Sequence, residues 1–302
     1  MRAPVHPMQR HRPSYSSGRA MAWPAPPFLY APSPLEAWAS AAGAVAMAFL
    51  AVSEFRGDHL AYSKFSRGGG GGGGGGQQGT KQRQRQRVRV PSRVGMVLLY
   101  FPALAAALAS FAVPGAVDGA RAHVLSAAVA VHFLKRVLEA LFLHRYSGSM
   151  PLATSLLIAG HYLFAGVGMI YAQRLRRRGL PEPRVDLLLP GVLAFAVGLA
   201  GNFYHHYLLS RLRARDGGDA GGEGAYRIPS GGLFGLVACP HYLFETLAFF
   251  GLAMVSQTLF ALTVAVGTAA YLAGRSRATR KWYAAKFDDF PSSVKALVPY
   301  VW

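Results

Sequence analysis

The sequence predicts an all-α polytopic membrane protein with about seven transmembrane helices. Three observations carry this. Of its 302 residues 52% are hydrophobic, and the mean hydropathy of +0.23 is too high for a water-soluble domain of that length. The apolar residues gather in blocks near 35–53, 96–117, 122–143, 152–173, 185–209, 233–254 and 257–274. Each block approaches the roughly 20 residues that cross a bilayer core as a helix. Lone polar residues such as His132 and Asn202 interrupt several blocks, which suits helices facing a bundle interior better than helices facing lipid.

The segments between the blocks follow in order. Residues 1–34 are rich in Pro and Arg, hold no acid and contain no continuous apolar core of a secretory signal, so a disordered tail is expected. Residues 68–93 run from nine consecutive glycines into "QQGTKQRQRQRVRVPSR", a flexible, basic, low-complexity loop. No strand pattern precedes the glycines and no helix pattern follows at once, so no nucleotide-binding role is assigned to them. The remainder, 35–302, reads as one membrane domain, with "ARDGGDAGGEGAYRIPSGG" (214–232) as its most loop-like insertion.

A formal charge of +19 would suggest nucleic acid as the partner of a soluble protein. In a membrane protein the positive-inside rule accounts for it, and no nucleic-acid partner is expected. With seven spans, one side collects about twenty Lys and Arg from loop 54–95, the loops near 145 and 211–227 and the tail after 274, against about ten opposite. This places the C-terminus in the cytosol and the N-terminus in the lumen, with the basic "QRLRRRG" (173–179) on the unexpected side. The single cysteine, Cys239, rules out an intramolecular disulfide and a cysteine-built metal cage, and reads as a small packing residue.

Three polar clusters interrupt the apolar pattern. In "HFLKRVLEALFLHRYS" (132–147) His132, Arg136 and Glu139 form one helical stripe, with Lys135 beside it. A charged stripe in a spanning helix marks either internal neutralisation or a functional site. "GNFYHHYLLSRLRAR" (201–215) ends an apolar helix with Asn202, His205 and His206, then presents arginines suited both to anchoring topology and to bidentate phosphate binding. In "ACPHYLFETLAF" (238–249) His241 and Tyr242 precede Glu245 by four and three residues, so all three share a helix face. Such groups are costly in an apolar medium without partners. The tail "GRSRATRKWYAAKFDDFPSSVKALVPYVW" (274–302) carries enough aromatics around Pro291 to fold back on the bundle. A diiron centre would need repeated close histidine pairs; only His205 and His206 are adjacent, so no metal is expected.

"YRIPSGGLFGLVACPHYLFE", together with "RSRATRKWYAAKFDDFPSSVKALVPYVW", closely resembles the C-terminal domain of the steroid 5α-reductase family. "HFLKRVLEALFLHRYS" is similar to the trans-2-enoyl-CoA reductase branch of the same superfamily. The resemblance implies a seven-helix enzyme of the endoplasmic reticulum that uses NADPH to reduce a C=C bond conjugated to a carbonyl. It makes about 200–302 the cofactor-binding part. Within it Asn202, Arg213, Tyr226, Glu245 and Arg275 match cofactor-associated positions, with His206 beside them. His241 stands where the steroid reductases have Asn, Tyr242 matches a tyrosine of the enoyl reductase branch and is the candidate proton donor, and Lys135 and Arg136 match that branch's basic pair. Tyr242, Glu245, Lys135 and Arg136 form the expected catalytic set, and His241 joins the expected cofactor-binding set.

Two departures bear on the substrate. Where the steroid enzymes hold the 3-ketone with a Glu on the second helix and a Tyr on the third, this chain has Tyr100 and Phe133; a cofactor-side His becomes Thr279. The expected substrate is therefore a lipid enone or enoyl thioester. The rival readings are a non-catalytic scaffold or lipid-binding subunit that keeps the fold, and a methyltransferase of related fold, which the "YRIP…GG" and terminal "KF…P" runs disfavour.

Overall fold

The computed structural model describes residues 26–60, 88–146, 148–175, 182–214 (backbone only at 213 and 214) and 227–302. Among them are seven long helices, one in each apolar block: α1 (Pro34–Arg56), α2 (Ser92–Ala109), α3 (Gly119–Leu138), α4 (Leu152–Leu175), α5 (Leu188–Ala214), α6 (Pro240–Ser256) and α7 (Leu259–Lys286). Five of them are long and apolar enough to cross a membrane: Pro34–Arg56, Ser92–Ala109, Leu152–Leu175, Leu188–Leu212 and Leu259–Lys286. The other two differ for physical reasons. α3 carries Arg121, Lys135 and Arg136, and α6, at 17 residues, is shorter than a full crossing. Exposed apolar side chains on α1, among them Trp38 and Phe49, suit contact with lipid.

The helix ends follow local chemistry. Ser33 caps α1 by accepting from Glu36 N at 3.1 Å, and Pro34 fits the first turn, whose N–H needs no partner. Gly57, at φ 97°, closes α1 in the left-handed conformation. α3 ends without a break in a π turn, Glu139–Leu143, where His144 N donates to Glu139 O at 2.8 Å. The expectation of an all-α chain gains one exception, a two-stranded antiparallel ribbon of β1 (Arg89–Pro91) and β2 (Ser149–Pro151). Arg89, within the basic stretch, donates to Ser149 Oγ at 2.9 Å and Ser149 O at 2.5 Å, and so sets the starts of α2 and α4 side by side.

The core comprises residues such as Leu99, Leu125, Val129, Met169, Leu252 and Phe260. α5 and α6 pack closest, and glycine makes this possible: a Cβ on Gly198 would lie 2.5 Å from Ala248 N. α1 runs beside α7, with Met47 against Gly267 and Glu54 against Gly274.

At the end where α1, α3, α5 and α7 begin, Gln257 ties four segments together. Its Nε2 donates to Phe28 O (2.7 Å) and Val185 O (2.8 Å), while its Oε1 accepts from Arg121 (2.8 Å) and Leu187 N (3.0 Å). Tyr30 N donates to Gln257 O at 2.9 Å, and Leu29 and Tyr30 are buried. The stretch expected to be a disordered tail is therefore ordered from residue 26, because it supplies backbone partners to a buried amide. The Leu188 N–H and the Arg121 guanidinium beside it hold the Asp186 carboxyl below the usual carboxylate range.

As the aromatic pattern predicts, the C-terminal segment folds back. Lys295 N donates to Leu236 O (2.9 Å) and Ala238 N to Lys295 O (2.8 Å). Arg280 binds the carbonyls of Val294 (2.6 Å) and Ser292 (3.0 Å), and Tyr283 stacks on Phe290. Val294 packs on Ala238 and Cys239, which fixes the start of α6.

Candidate active site

The site is built at the other end, from the last turn of α3 outward. Glu139 is almost fully buried and meets three basic side chains. Lys135 reaches its Oε1 at 2.8 Å; Arg136 (2.9 Å) and His206 Nδ1 (3.1 Å) reach its Oε2. Arg136 also donates to the Tyr100 hydroxyl at 2.5 Å, with its guanidinium over that ring at 4.7 Å. Buried charges persist only when paired and hydrogen-bonded, and here Glu139 pairs both cations while Glu245 supplies a second negative charge that acts on them. The stripe read from the sequence thus holds for Arg136 and Glu139. His132 instead packs between the rings of Phe133 and Phe249.

α5 and α6 supply the facing wall. Lys135 donates to Asn202 Oδ1 at 2.5 Å, and Asn202 Nδ2 donates to His241 O at 2.7 Å, so one amide links α3 to the first turn of α6. His205 Nε2 accepts from Leu233 N (3.1 Å) and its Nδ1 donates to Gly201 O (2.7 Å), which pins the turn after Gly231 and Gly232. His206 lies 4.8 Å from the His144 ring and 5.3 Å from the His241 ring, and His241 lies 4.2 Å from Tyr242.

A cavity of about 320 Å³ lies beside these groups. Its inner wall holds Tyr100, Arg136, His206, His241, Tyr242 and Glu245, and Glu245 interacts electrostatically with Arg136. Arg145, Tyr146, Ser210, Arg227, Tyr271 and Thr279 add a polar, cationic lining where α1, α3, α5 and α7 end. Met47, Leu50, Leu157 and Ile158 make a third, apolar part. The arrangement can bind an anionic group beside an apolar one and set hydrogen-bond donors between them.

The expected site residues divide. Arg136, His206, His241, Tyr242 and Glu245 converge on the cavity. Lys135 and Asn202 stand behind it and act through their hydrogen bonds to Glu139 and the α6 start. Arg275 also lies outside the lining: it is buried and its Nη1 is ion-paired with Glu54 at 2.9 Å and bonded to Leu60 O at 3.3 Å. Arg213 has only its backbone described, on α5, and Tyr226 lies outside the described residues. Sequence reasoning missed Arg145 and Arg227 as lining residues, and read Tyr100 only as a replacement. The "LHRY" run that ends the π turn was the available signal for Arg145.

Glu139, His144 and His206 offer ligand atoms within 4.8 Å of one another, the spacing of a metal site. A dication there would compete with Lys135 and Arg136 for the same carboxylate, which favours the ion-pair network over a metal centre.

A charged, aromatic-walled cavity inside apolar helices suits a membrane enzyme for apolar substrates. A profile for 3-oxo-5-alpha-steroid 4-dehydrogenase matches residues 151–302. The chain is 30% identical to 3-oxo-5-alpha-steroid 4-dehydrogenase 1 of Macaca fascicularis over 228 residues, 71% of this chain and 81% of that protein. It is 39% identical to a steroid 5-alpha-reductase of Gossypium hirsutum over 115 residues, 38% of this chain and 42% of that protein. It is also 29% identical to a very-long-chain enoyl-CoA reductase of Dictyostelium discoideum over 176 residues, 57% and 55% of the two lengths. The chain belongs to the 3-oxo-5-alpha-steroid 4-dehydrogenase family and is an enzyme of the double-bond reductase class.

Proposed function

We propose that the protein uses NADPH to reduce a C=C bond conjugated to a carbonyl in a membrane lipid, either a steroid-like enone or a trans-2-enoyl-CoA. The observation that carries this is the meeting of Arg136, Tyr100, Tyr242 and Glu245 on one cavity with both a cationic and an apolar lining. The donor set fits a phosphorylated dinucleotide: Arg145 and Arg227 suit its phosphates, and His206, His241 and Glu245 suit its nicotinamide end. Bound there, NADPH would supply a hydride for the carbon β to the carbonyl.

Negative charge then develops on the carbonyl oxygen, where donors from Arg136 and the Tyr100 hydroxyl it polarises offer stabilisation. Tyr242 provides the proton for the α-carbon. Lys135 and Asn202 keep Arg136 and the α6 start in place. Arg275 supports the cofactor side through Glu54 and Leu60, and Arg213 and Tyr226 are assigned to cofactor binding on the strength of the sequence motifs alone. In this reading α3 and α6 also cross the membrane, giving seven spans. The N-terminus is lumenal, and the polar cavity end faces the cytosol, where NADPH is available to an endoplasmic-reticulum enzyme.

The test is NADPH oxidation by the detergent-solubilised protein with an enone steroid and a trans-2-enoyl-CoA. At least one is reduced, and Tyr242→Phe or Glu245→Gln lowers kcat by about 10²-fold. Unchanged turnover in both variants would remove these residues from the chemistry.

A further inference from the structure

One titratable side chain on the cavity wall has no place in that reaction. His161 sits in mid-α4, half-buried, among Leu157, Ile158 and Phe164. The ring of Tyr162 lies 5.7 Å away, and His161 makes no hydrogen bond among the described residues. A polar ring in an apolar span is costly without a partner and is retained where something polar visits it.

Its position says what visits. His161 and Met47 line both the main cavity and an adjoining apolar hollow of about 160 Å³. That hollow lies between α1 and α4, walled by Ala42, Gly43 and Ala46 on one side and Phe164 on the other, with Phe260, Thr263 and Val264 of α7 behind. α1 packs on α7 and α4 on α2, so the two helices face each other across a cleft without packing together. Space is left on the α1 side, where a Cβ on Gly43 would meet nothing within 4 Å. The cleft therefore continues the substrate cavity toward the lipid-facing side, and His161 is the titratable group that lines both spaces.

Building on the proposed lipid reduction, we propose that His161 is a specificity-determining subsite for an oxygen function, a hydroxyl or carbonyl, on the part of the lipid remote from the reacting double bond. A neutral imidazole offers one donor and one acceptor, enough for either group. The reacting end then lies by Arg136 and Tyr242, the apolar body passes Met47 and Leu157, and the remote oxygen meets the His161 imidazole where the cavity and the hollow adjoin. A site built to hydrogen-bond an oxygen rejects the analogue that lacks it, because its own polar group is left unpaired.

The experiment uses the full chain in lipid nanodiscs and two probe pairs: androst-4-en-3-one with its 17β-hydroxy derivative, and trans-2-dodecenoyl-CoA with its 12-hydroxy derivative. Binding is measured without NADPH, and turnover separately. In at least one pair the wild type binds the oxygenated member about tenfold more tightly. His161→Phe brings the two members to parity, and His161→Gln, which keeps a donor and an acceptor, restores most of the preference. Equal affinities in both pairs, or a preference that survives His161→Phe, overturn the subsite even if all probes are reduced. A preference lost in His161→Phe without any reduction keeps the subsite and removes the reaction.

Discussion

At the scale of single residues, charge balance organises the site. Glu139 holds Lys135, Arg136 and His206 around one carboxylate. Removing it takes away the ion-pair partner of two buried cations, so Glu139→Ala is expected to destabilise the protein by about 3–5 kcal/mol, read as a lower melting temperature in detergent. The Glu54–Arg275 pair gives a sharper comparison. Glu54→Gln and Arg275→Gln each break a buried pair, while the double variant removes both charges and should melt above either single one. If Arg275 also binds NADPH directly, the double variant loses NADPH affinity far beyond Glu54→Gln alone. Lys135, Arg136 and Glu139 were legible because i, i+3 and i+4 neighbours meet on a helix. Their meeting with His206, 67 positions away, depends on how α3 packs against α5, which no local pattern encodes.

At the scale of elements, close helix packing sets the geometry. Gly198 lets α5 lie against α6 and so keeps Asn202 within reach of His241 O. Gly198→Ala should force the helices apart, cost about 1–3 kcal/mol and lower turnover. Gly160→Ala on α4, where a Cβ meets nothing within 4 Å, is the matched control and should leave both unchanged or slightly improved. Hydropathy showed all seven helices, since burial in lipid or core needs apolar residues in either case. It did not show the π turn, because "EALFL" has an ordinary helical composition. The β1 strand was equally hidden at the end of a glycine- and arginine-rich run, where only its pairing with Ser149–Pro151 orders it.

At the scale of the whole molecule, the two ends of the bundle have different tasks. Gln257 fastens the starts of α1, α3 and α5 at one end; the C-terminal segment fastens the start of α6 at the other. Truncation after Phe290 removes the carbonyls that hold Arg280 and the backbone bridge to Leu236 and Ala238. The truncated protein should still insert in membranes but lose most reductase activity, measured in microsomes beside the intact chain. Fold-back of this segment was readable from Tyr283, Phe287 and Phe290, whereas its partner, the turn before Pro240, was not. The tail's ordered end at Leu29 and Tyr30 escaped for a similar reason: its Pro-rich composition is that of a free tail, and only the distant Gln257 orders it.

The π turn at Glu139–Leu143 also makes this chain sensitive to length. A π turn holds one residue more than the α-helical turn it replaces, and each residue rotates a helix by about 100°. Deleting one residue from Ala140–Phe142 would let the helix relax to regular geometry and would swing His144 and Arg145 away from His206 and the cavity. The shortened protein would have a more regular third helix and a dismantled site. In this segment, the number of residues matters as much as their identity.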